Sequence, residues 1–234
     1  MRETKPMEQG HPELSSMRIS YEQDELVEDL LHADPLSQFQ RWLHDAVQLG
    51  TERIPEPNAM VISTVSKASE VHSRTVLLKD LSPAGLIFYT NYQSQKAYDL
   101  LSNPQVSALF PWYPLQRQVI VTGSVAKVDR EQSEAYFATR PYKSQLGALV
   151  SEQSQVIPNR EILEVELEKL EARYPKGSPV PMPEEWGGYL ITVSEIEFWQ
   201  GRRSRLHDRL KFVRKEEGGL LNQASAWQVI RLAP

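Results

Sequence analysis

The sequence predicts a mainly β fold with added helices, in the α+β class, arranged as an antiparallel barrel decorated by helices. Three observations lead to this prediction. Short apolar runs rich in β-branched residues recur along the chain between turn residues. The apolar runs come in groups, and segments with helical periodicity lie between these groups. Strands and helices therefore do not alternate one by one. The 234 residues, 40% of them hydrophobic, include five Trp, nine Tyr and six Phe, which is enough for a sizeable core.

The N-terminal residues differ from the rest of the chain. They are polar, contain two prolines and show no period, so we predict a mobile arm at 1–22 and a single domain at 23–234. The first strong helix signal follows the arm. Asp34 is a suitable N-cap, Pro35 suits the first helical position, and Gly50 ends the amphipathic run between them.

The remaining elements follow from periodicity and from turn residues. Pro141 stops one predicted helix, and Gly123 is a candidate for a β-bulge inside a long strand. Further helices are predicted at residues 25–32, 94–101, 130–140, 144–150 and 160–174. Strands are predicted at residues 59–65, 73–79, 86–90, 106–112, 116–128, 186–200, 209–213 and 227–231.

Composition excludes several classes of function. The absence of cysteine removes disulfides, thiolate nucleophiles and cysteine-ligated metals. A net charge of −5 argues against a nucleic-acid partner, because no basic excess exists to neutralise phosphates. No apolar run approaches the roughly 18 residues of a membrane span, and no apolar stretch follows the first charges. We therefore expect a cytoplasmic protein without a membrane or nucleic-acid partner.

Common catalytic signatures are also missing. The sequence has no glycine-rich dinucleotide or P-loop motif and no Gly-x-Ser-x-Gly nucleophile elbow. The five histidines never fall at a metal-ligand spacing, so we predict no metal site. Any phosphate must then be bound by scattered arginine, lysine, serine and glutamine side chains.

Two cations stand on the predicted strand at 73–79. Arg74 and Lys79 are five residues apart, so strand alternation places them on opposite faces, where each could serve a different ligand. A surface arginine followed by a strand-end lysine is the simpler interpretation, and this segment alone favours it.

A second polar group runs from Tyr89 to Lys96, where a strand ends in hydroxyl groups and a helix begins at Ser94. A helix N-terminus presents free backbone N–H groups and a favourable dipole, so an anion could bind there. Ser94 could equally serve only as an N-cap.

A third group surrounds Pro141. Tyr136 and Arg140 are spaced i, i+4 and share one helix face, and Pro141 turns the chain toward Lys143 and Ser144. An arginine, a hydroxyl group and a phenol that converge in this way suit a phosphate monoester. Tyrosine and arginine at this spacing also often do no more than stack on a surface.

The densest signal lies near the C-terminus. In an extended chain Arg205, His207 and Arg209 point to one side, while Leu206 and Asp208 point to the other. Two cations beside an imidazole suit an anionic or electron-rich ligand, and histidine exchanges protons near neutral pH. We therefore favour a functional role here over ion pairs with the many glutamates.

In these residues the sequence resembles the pyridoxamine (pyridoxine) 5′-phosphate oxidase family. The resemblance extends in family order from about Asp34 to the last residue. The matching stretches are Ser73-Arg74, Leu77-Leu78-Lys79, Tyr89-Thr90-Asn91, Leu115-Gln116-Arg117-Gln118-Val119, Tyr136-Phe137, Arg140-Pro141, Ser144-Gln145-Leu146-Gly147-Ala148, Ser151-Glu152-Gln153-Ser154, Trp186-Gly187-Gly188, Glu197-Phe198-Trp199-Gln200-Gly201, Arg205-Leu206-His207-Asp208-Arg209 and Arg231-Leu232-Ala233-Pro234.

The resemblance implies an antiparallel, FMN-binding split β-barrel that forms a homodimer, with one FMN at each of two sites between the subunits. It implies oxidation of pyridoxamine 5′-phosphate and pyridoxine 5′-phosphate to pyridoxal 5′-phosphate, in vitamin B6 metabolism. In that chemistry a hydride passes from the C4′ carbon to flavin N5. Dioxygen is the final acceptor and yields hydrogen peroxide, and the amine also releases ammonia.

The resemblance also implies roles for individual residues. Arg205 and His207 are the implied catalytic pair, which closes over the pyridine ring together with Leu206. The implied cofactor-binding residues are Arg74, Thr75, Val76, Leu77, Tyr89, Thr90, Gln95, Lys96, Gln118, Gln153, Ser154, Trp199 and Arg209. The implied substrate-binding residues are Lys79, Tyr136, Arg140 and Ser144, with Arg18, Ile19, Ser20 and Tyr21 as an arm segment that covers the substrate.

Two positions depart from the family pattern, and two rival functions remain. Gln95 stands where the family usually has an arginine, and Ile120 replaces an arginine or methionine. One rival is another split-barrel flavin oxidoreductase of the phenazine type, which should lack part of the phosphate-binding set. The other is a non-catalytic carrier of flavin or pyridoxal phosphate, against which the Arg205-x-His207 pair argues.

Overall fold

The computed structural model describes residues 20–21 and 24–234, and nine antiparallel strands form one sheet in it. The strands are β1 (Ala59–Val65), β2 (Val71–Leu77), β3 (Asp80–Ser82), β4 (Gly85–Asn91), β5 (Gln105–Trp112), β6 (Arg117–Lys127), β7 (Trp186–Gln200), β8 (Asp208–Arg214) and β9 (Trp227–Arg231). The helices are α1 (Pro35–Gln48), α2 (Gln95–Ser102), α3 (Arg130–Thr139), α4 (Tyr142–Val150) and α5 (Glu161–Arg173). The prediction of an antiparallel sheet with inserted helices is confirmed.

The longest strand, β7, divides the sheet into two branches. The main path runs β2-β1-β5-β6-β7-β4-β3, and β8 and β9 branch from it by pairing with β7 and with each other. Residues 186–191 of β7 pair with β4, whereas residues 195–200 pair with β8. The residues around Trp186, at the start of β7, and those around Trp199, near its end, therefore lie on different branches of one sheet.

The predicted bulge at Gly123 is confirmed. The register between β6 and β7 shifts after Thr122, which pairs with Glu195, whereas Gly123 pairs with Val193. A Cβ atom at residue 123 would overlap the carbonyl group of Thr192, so only glycine allows this approach. The bulge bends the long β6–β7 pair and helps the sheet to curl.

Helix α1 closes one side of the core as its sequence predicts. The Asp34 side chain accepts a hydrogen bond from the Ser37 N–H at 2.9 Å and caps the helix. Phe39 packs edge-on against Phe110 with ring centroids 5.0 Å apart. Trp42 packs similarly on Phe198 at 5.2 Å. Burial of each such ring contributes roughly 1.5–3 kcal/mol, so α1 is firmly docked on the sheet.

Three sequence predictions differ from the structure. The helix predicted at 25–32 is only a 3₁₀ turn at Glu28–Leu30, because the backbone is extended on either side of it, at Val27 and at Leu31. The strand predicted at 73–79 ends at Leu77. The three-residue strand β3 was not predicted, since it is too short to show a period.

The predicted arm at 1–22 lies outside the described residues except for Ser20 and Tyr21. Among the residues that are described, no helix is long and apolar enough to cross a membrane. The division into an arm and a single domain stays a prediction.

Candidate functional site

A cavity of about 960 Å³ lies where β2, β4, α2, α3 and α4 meet. Four cations, Arg74, Lys79, Lys96 and Arg140, line this cavity, and no aspartate or glutamate is among the described residues that line it. From the predicted cofactor set it brings together Arg74, Thr75, Val76, Leu77, Tyr89, Thr90, Gln95, Lys96, Gln153 and Ser154. From the predicted substrate set it brings together Lys79, Tyr136, Arg140 and Ser144. The positive charge of the cavity lining suits an anionic ligand.

Lys96 forms one cationic end of the cavity. Its buried ammonium group donates to the Thr90 hydroxyl at 3.0 Å, the Ser94 hydroxyl at 3.1 Å and the Gln153 carbonyl oxygen at 2.9 Å. All three acceptors are neutral, so the positive charge is not cancelled by them. Burial, together with the neighbouring Arg74, lowers the pKa of Lys96 from 10.5 to about 8.

Ser94 does more than mark the start of α2. Its hydroxyl donates to the Asn91 carbonyl at 2.7 Å and accepts from Lys96, and it makes no capping bond to the helix. The Gln95 N–H instead donates to the Ser154 hydroxyl at 3.2 Å. The first turn of α2 therefore joins the loop after α4 at this end of the cavity.

Arg140 is a second cation of the cavity lining. Helix α3 stops at Thr139 because Pro141 follows, and the Arg140 backbone is extended there. The guanidinium carbon lies 4.7 Å from the Trp186 ring centre and 5.5 Å from that of Phe137. Burial lowers the pKa of Arg140, and its Nη1 atom is buried with no hydrogen-bond partner among the described residues. Such an atom fits an incoming oxygen acceptor.

Three parallel rings form the wall beside Arg140. Tyr89 stacks on Tyr136 with centroids 4.0 Å apart and on Trp186 at 5.3 Å. The planes of these rings differ by 15° and 8°. A Cβ atom at residue 188 would lie 2.8 Å from the Tyr89 ring, so Gly188 allows the stack to form. The stack fixes the Tyr136 phenol next to Arg140.

The prediction that Arg74 and Lys79 lie on opposite faces of one strand is wrong. Strand β2 ends at Leu77, so the alternation of that strand does not extend to Lys79. The Lys79 N–H instead donates to the Ile87 carbonyl at 2.8 Å, at the edge of β4. Both cations border the same cavity.

The other predicted cofactor residues form a row on the second branch of the sheet. Gln118 pairs with Trp199 across β6 and β7, and Trp199 pairs with Arg209 across β7 and β8. The next row along, Val119, Phe198 and Leu210, is fully buried in the core. Alternation therefore directs Gln118, Trp199 and Arg209 to the opposite, outer face, and none of them lines the large cavity.

The predicted catalytic pair lies at the tip of this second branch, also away from the large cavity. The prediction of an extended chain from Arg205 to Arg209 is wrong, because Arg203–Arg205 forms a 3₁₀ turn and β8 begins only at Asp208. Ser204 and Arg205 have φ values of 56° and 61°, in the left-handed region that non-glycine residues seldom adopt. Left-handed residues cost about 1–2 kcal/mol each, and such strain clusters at functional sites.

His207 is fixed in one tautomer. Its Nδ1 atom accepts a hydrogen bond from the Arg202 N–H at 3.0 Å, so the neutral ring carries its proton on Nε2. Burial and the nearby Arg205 lower the pKa of His207 against the opposing effect of Asp208. At neutral pH the ring is therefore an uncharged donor. Leu206, which precedes it, is exposed.

Tyr21 joins this second group. Its ring centroid lies 5.9 Å from that of Trp199 and 5.6 Å from that of His207. Trp199 and His207 are themselves 4.6 Å apart. The neighbouring Ser20 is exposed, whereas Arg18 and Ile19 lie outside the described residues. The predicted arm segment thus reaches the predicted catalytic histidine through Tyr21.

Sequence reasoning missed three residues that shape the large cavity. Trp186 lines the cavity and supports Arg140. The Trp186-Gly187-Gly188 stretch resembles the family, but the sequence analysis assigns no role to Trp186. Asp99 and His72 lie behind the lining and contact Arg74. They are 27 positions apart in the sequence, so no local pattern joins them.

Two family models match the chain. Residues 49–174 match the model described as "Pyridoxamine 5′-phosphate oxidase". Residues 186–234 match the "Pyridoxine 5′-phosphate oxidase C-terminal dimerisation region". The chain belongs to the pyridoxine/pyridoxamine 5′-phosphate oxidase family. The second match covers Trp199, Arg205, His207 and Arg209.

Curated relatives are similar over nearly the whole chain. The pyridoxine/pyridoxamine 5′-phosphate oxidase of Streptomyces avermitilis is 48% identical over 94% of this chain and 96% of its own length. That of Salinispora arenicola is also 48% identical, with the same shares covered. That of Alcanivorax borkumensis is 45% identical over 94% of this chain and its whole length.

Solved structures share the split-barrel fold. PhzG from Burkholderia lata, solved with tetrahydrophenazine-1-carboxylic acid, superposes with a TM-score of 0.79 at 25% identity, covering 90% of this chain and 98% of that one. A pyridoxamine 5′-phosphate oxidase-related, FMN-binding protein from Nostoc punctiforme superposes with a TM-score of 0.63 at 14% identity, covering 85% and 96%. The curled antiparallel sheet with helices is therefore the split barrel of this family.

Proposed function

We propose that this protein oxidises pyridoxine 5′-phosphate and pyridoxamine 5′-phosphate to pyridoxal 5′-phosphate, with FMN as cofactor and dioxygen as acceptor. One observation carries the proposal beyond family membership. The large cavity is lined by four cations and, among the described residues, by no carboxylate. Ligand pockets of roughly 300–1,000 Å³ hold cofactor-sized molecules, and this cavity, at about 960 Å³, is at the upper end of that range.

The charges are arranged for two phosphate groups. Lys96 and Arg74 are close enough to affect each other's charge, Arg140 and Ser144 lie on either side of Pro141, and all four line the cavity. A flavin mononucleotide and a phosphorylated substrate together bring two phosphate monoesters. The unpartnered Nη1 of Arg140 fits the substrate phosphate, and the ammonium of Lys96, bonded only to neutral oxygens, fits the cofactor phosphate.

The chain's own residues bind and orient the reactants. Arg140, Lys79 and Ser144 bind the substrate phosphate, and the stacked rings of Tyr89, Tyr136 and Trp186 keep the phosphate end of the cavity rigid. When bound, the flavin supplies the hydride acceptor, a chemistry that no amino-acid side chain offers. The alcohol and dioxygen give the aldehyde and hydrogen peroxide. The amine, dioxygen and water give the aldehyde, ammonia and hydrogen peroxide.

A second copy of the chain completes each cavity in this proposal. Gln118, Trp199 and Arg209 form a row on the outer face of the sheet, and the last two of them, with Arg205 and His207, lie in the segment that matches a dimerisation region. A two-fold dimer places the same surface of each subunit against the other, so both cavities are completed alike. Residues that lie apart in one chain then meet around one ligand.

In the completed site Arg205 and His207 close over the substrate ring. Arg205 holds the ring in place, with C4′ aligned for hydride transfer. His207 donates its Nε2–H to a polar substituent of the ring, because its Nδ1 is occupied by the Arg202 N–H. Tyr21 packs on His207 and covers this side of the site. The predicted cytoplasmic location belongs to the same proposal.

The similarity to PhzG supports a second candidate, an oxidase of phenazine precursors. The ligand named with that structure is a carboxylic acid with no phosphate. The phosphate-binding residues around Arg140 therefore favour a phosphorylated substrate. A non-catalytic carrier is the third possibility.

The test begins with purified protein. We expect it to be yellow and to release FMN and not FAD, since the cavity provides for a single terminal phosphate at each end. Pyridoxamine 5′-phosphate should give hydrogen peroxide in a peroxidase-coupled assay, whereas pyridoxamine without phosphate should not at the same concentration. Protein that is colourless and cannot be reconstituted with FMN contradicts the proposal, and flavin-loaded protein without peroxide release supports a carrier.

A further inference from the structure

Asp99 is a buried carboxylate directly behind the cofactor end of the cavity. Its side chain is only 1% exposed, and it does not line the cavity itself. One oxygen, Oδ2, accepts from the Thr64 hydroxyl at 2.6 Å and from His72 Nδ1 at 3.0 Å. Burial alone would raise the pKa of Asp99, but hydrogen bonds from Thr64, Gln95 and His72 lower it, so the group is charged at neutral pH.

Asp99 also attracts the donors of two residues that line the cavity. Nη2 of Arg74 lies 3.7 Å from Asp99 Oδ2, and Nε2 of Gln95 donates to Asp99 Oδ1 at 3.0 Å. Nη1 of Arg74 donates to the Thr64 hydroxyl at 2.7 Å and to the His72 carbonyl at 2.9 Å. The Arg74 guanidinium is thus part of an ion pair, and the Gln95 amide donates to the same carboxylate.

Gln95 lies where its side chain can pair directly with Asp99. The two residues are spaced i, i+4 on α2, where side chains of opposite charge pair readily. A cation at position 95 would therefore meet Asp99 before it met a ligand in the cavity. Only Lys96, whose described hydrogen bonds all go to neutral acceptors, keeps its charge uncompensated at this end.

We propose that Asp99 sets the affinity of this site for the cofactor phosphate, because it competes with the phosphate for Arg74 and for the side chain at position 95. The inference rests on the proposed function, since it assumes that the phosphate of FMN binds at the Lys96 end. Asp99 acts through Arg74 and residue 95, so it is a positioning residue and does not touch the ligand.

The test compares FMN with riboflavin, which has the same ring system and no phosphate. Apoprotein carrying Asp99→Asn keeps hydrogen-bonding atoms at this position and loses the charge. We expect its Kd for FMN to fall about threefold or more and its Kd for riboflavin to stay unchanged. Asp129→Asn, which removes an exposed carboxylate at the start of α3, is the matched control for net charge and should change neither Kd.

A double substitution isolates the competition. Gln95→Arg alone should tighten FMN binding less than about threefold, because the new guanidinium pairs with Asp99. The combination of Gln95→Arg and Asp99→Asn should tighten FMN binding more than the product of the two single effects, by about tenfold or more. Flavin fluorescence titration of apoprotein measures all four Kd values without an activity assay.

Four results overturn the inference. Asp99→Asn that weakens FMN binding shows that the carboxylate supports the phosphate site. Equal changes for FMN and riboflavin show a general structural role, and purely additive effects in the double variant show no competition. Wild-type apoprotein that binds neither flavin overturns the proposed function as well, whereas the other outcomes leave the proposed function intact.

Discussion

The guanidinium carbon of Arg140 lies 4.7 Å from the centre of the Trp186 ring, and in the part of the chain that the structure describes Nη1 of the same guanidinium is buried with no hydrogen-bond partner. An aromatic face attracts a cation without using its N–H groups, unlike a carboxylate. The contact therefore holds Arg140 in place and leaves donors for a ligand. This arrangement combines a fixed position with unused hydrogen-bonding capacity, which suits recognition of an incoming phosphate.

Replacement of Arg140 by alanine should raise the KM for pyridoxamine 5′-phosphate and leave kcat nearly unchanged. The phosphate is bound alike before and during the reaction, so its loss affects binding and not the chemical step. A charged hydrogen bond contributes about 1.5–3 kcal/mol, which corresponds to roughly a 10- to 100-fold rise in KM. Steady-state kinetics with excess FMN measure both constants. A fall in kcat with an unchanged KM would contradict this assignment.

Binding of FMN should weaken as the pH rises through about 8, the pKa of Lys96. The lysine loses its charge there, while the phosphate keeps both of its charges. Lys96→Arg, which stays protonated, should remove this pH dependence, and riboflavin should show none with either protein. Fluorescence titrations from pH 6.5 to 9.5, a range chosen to bracket the transition by about 1.5 units, provide the comparison.

Deprotonation of Lys96 has the opposite effect on the stability of the apoprotein, which increases as the pH rises. The pKa of Lys96 is lower in the folded chain, about 8, than its ordinary value of 10.5. Between these pH values the unfolded chain binds more protons, so this group makes the free energy of unfolding increase with pH. Urea unfolding of apoprotein at pH 8 and pH 10 should show a smaller increase for Lys96→Met than for the wild type. An equal change in both proteins would exclude Lys96 as the cause.

Replacement of Arg205 by alanine should lower kcat/KM steeply while FMN content is retained. Arg205 faces the reacting ring in the proposed site, and the alignment of C4′ that it enforces matters most in the transition state of hydride transfer. Anaerobic stopped-flow measurement of flavin reduction separates this step from reoxidation by dioxygen. If the variant reduces its flavin at the wild-type rate with saturating substrate, Arg205 only binds.

Two substitutions of His207 should differ because its two nitrogen atoms have different partners. Glutamine places an N–H near the position of Nε2, whereas asparagine places its polar atoms near Nδ1, which accepts from Arg202. We expect His207→Gln to keep more substrate affinity than His207→Asn. Substrate titration of each FMN-loaded variant under anaerobic conditions, at constant pH, gives the two affinities. Greater affinity in the asparagine variant would indicate that the Nδ1 contact matters more.

Local signals predicted most of the fold. The Asp34 cap, the run of strands and the bulge at Gly123 each depend on a few neighbouring residues, and the structure confirms them. The helix predicted at 25–32 is wrong because the backbone is extended at Val27 and Leu31, which leaves only one 3₁₀ turn between them. The extended course predicted after Arg205 failed because the chain reverses there through two left-handed residues.

The candidate site was only partly predictable. Lys96 and Arg140 line one cavity, but the residue patterns alone left them in separate groups, and only the family resemblance implied that they serve one site. The network around Asp99 joins three separate elements, and no period or spacing in the sequence connects them. The sequence also did not indicate that Arg209 would lie outside the cavity, because this depends on how β7 divides the sheet between β4 and β8.

The division of the site between two branches of one sheet has a genetic consequence. A chain with Lys96→Ala and a chain with Arg209→Ala should each form inactive dimers. Mixed dimers would carry both defects in one site and neither in the other. Random association makes half of all dimers mixed, so a co-expressed population should recover about a quarter of wild-type activity. Such complementation between two inactive alleles requires that each active site draws on two polypeptides, and it would be absent if one chain held the whole site.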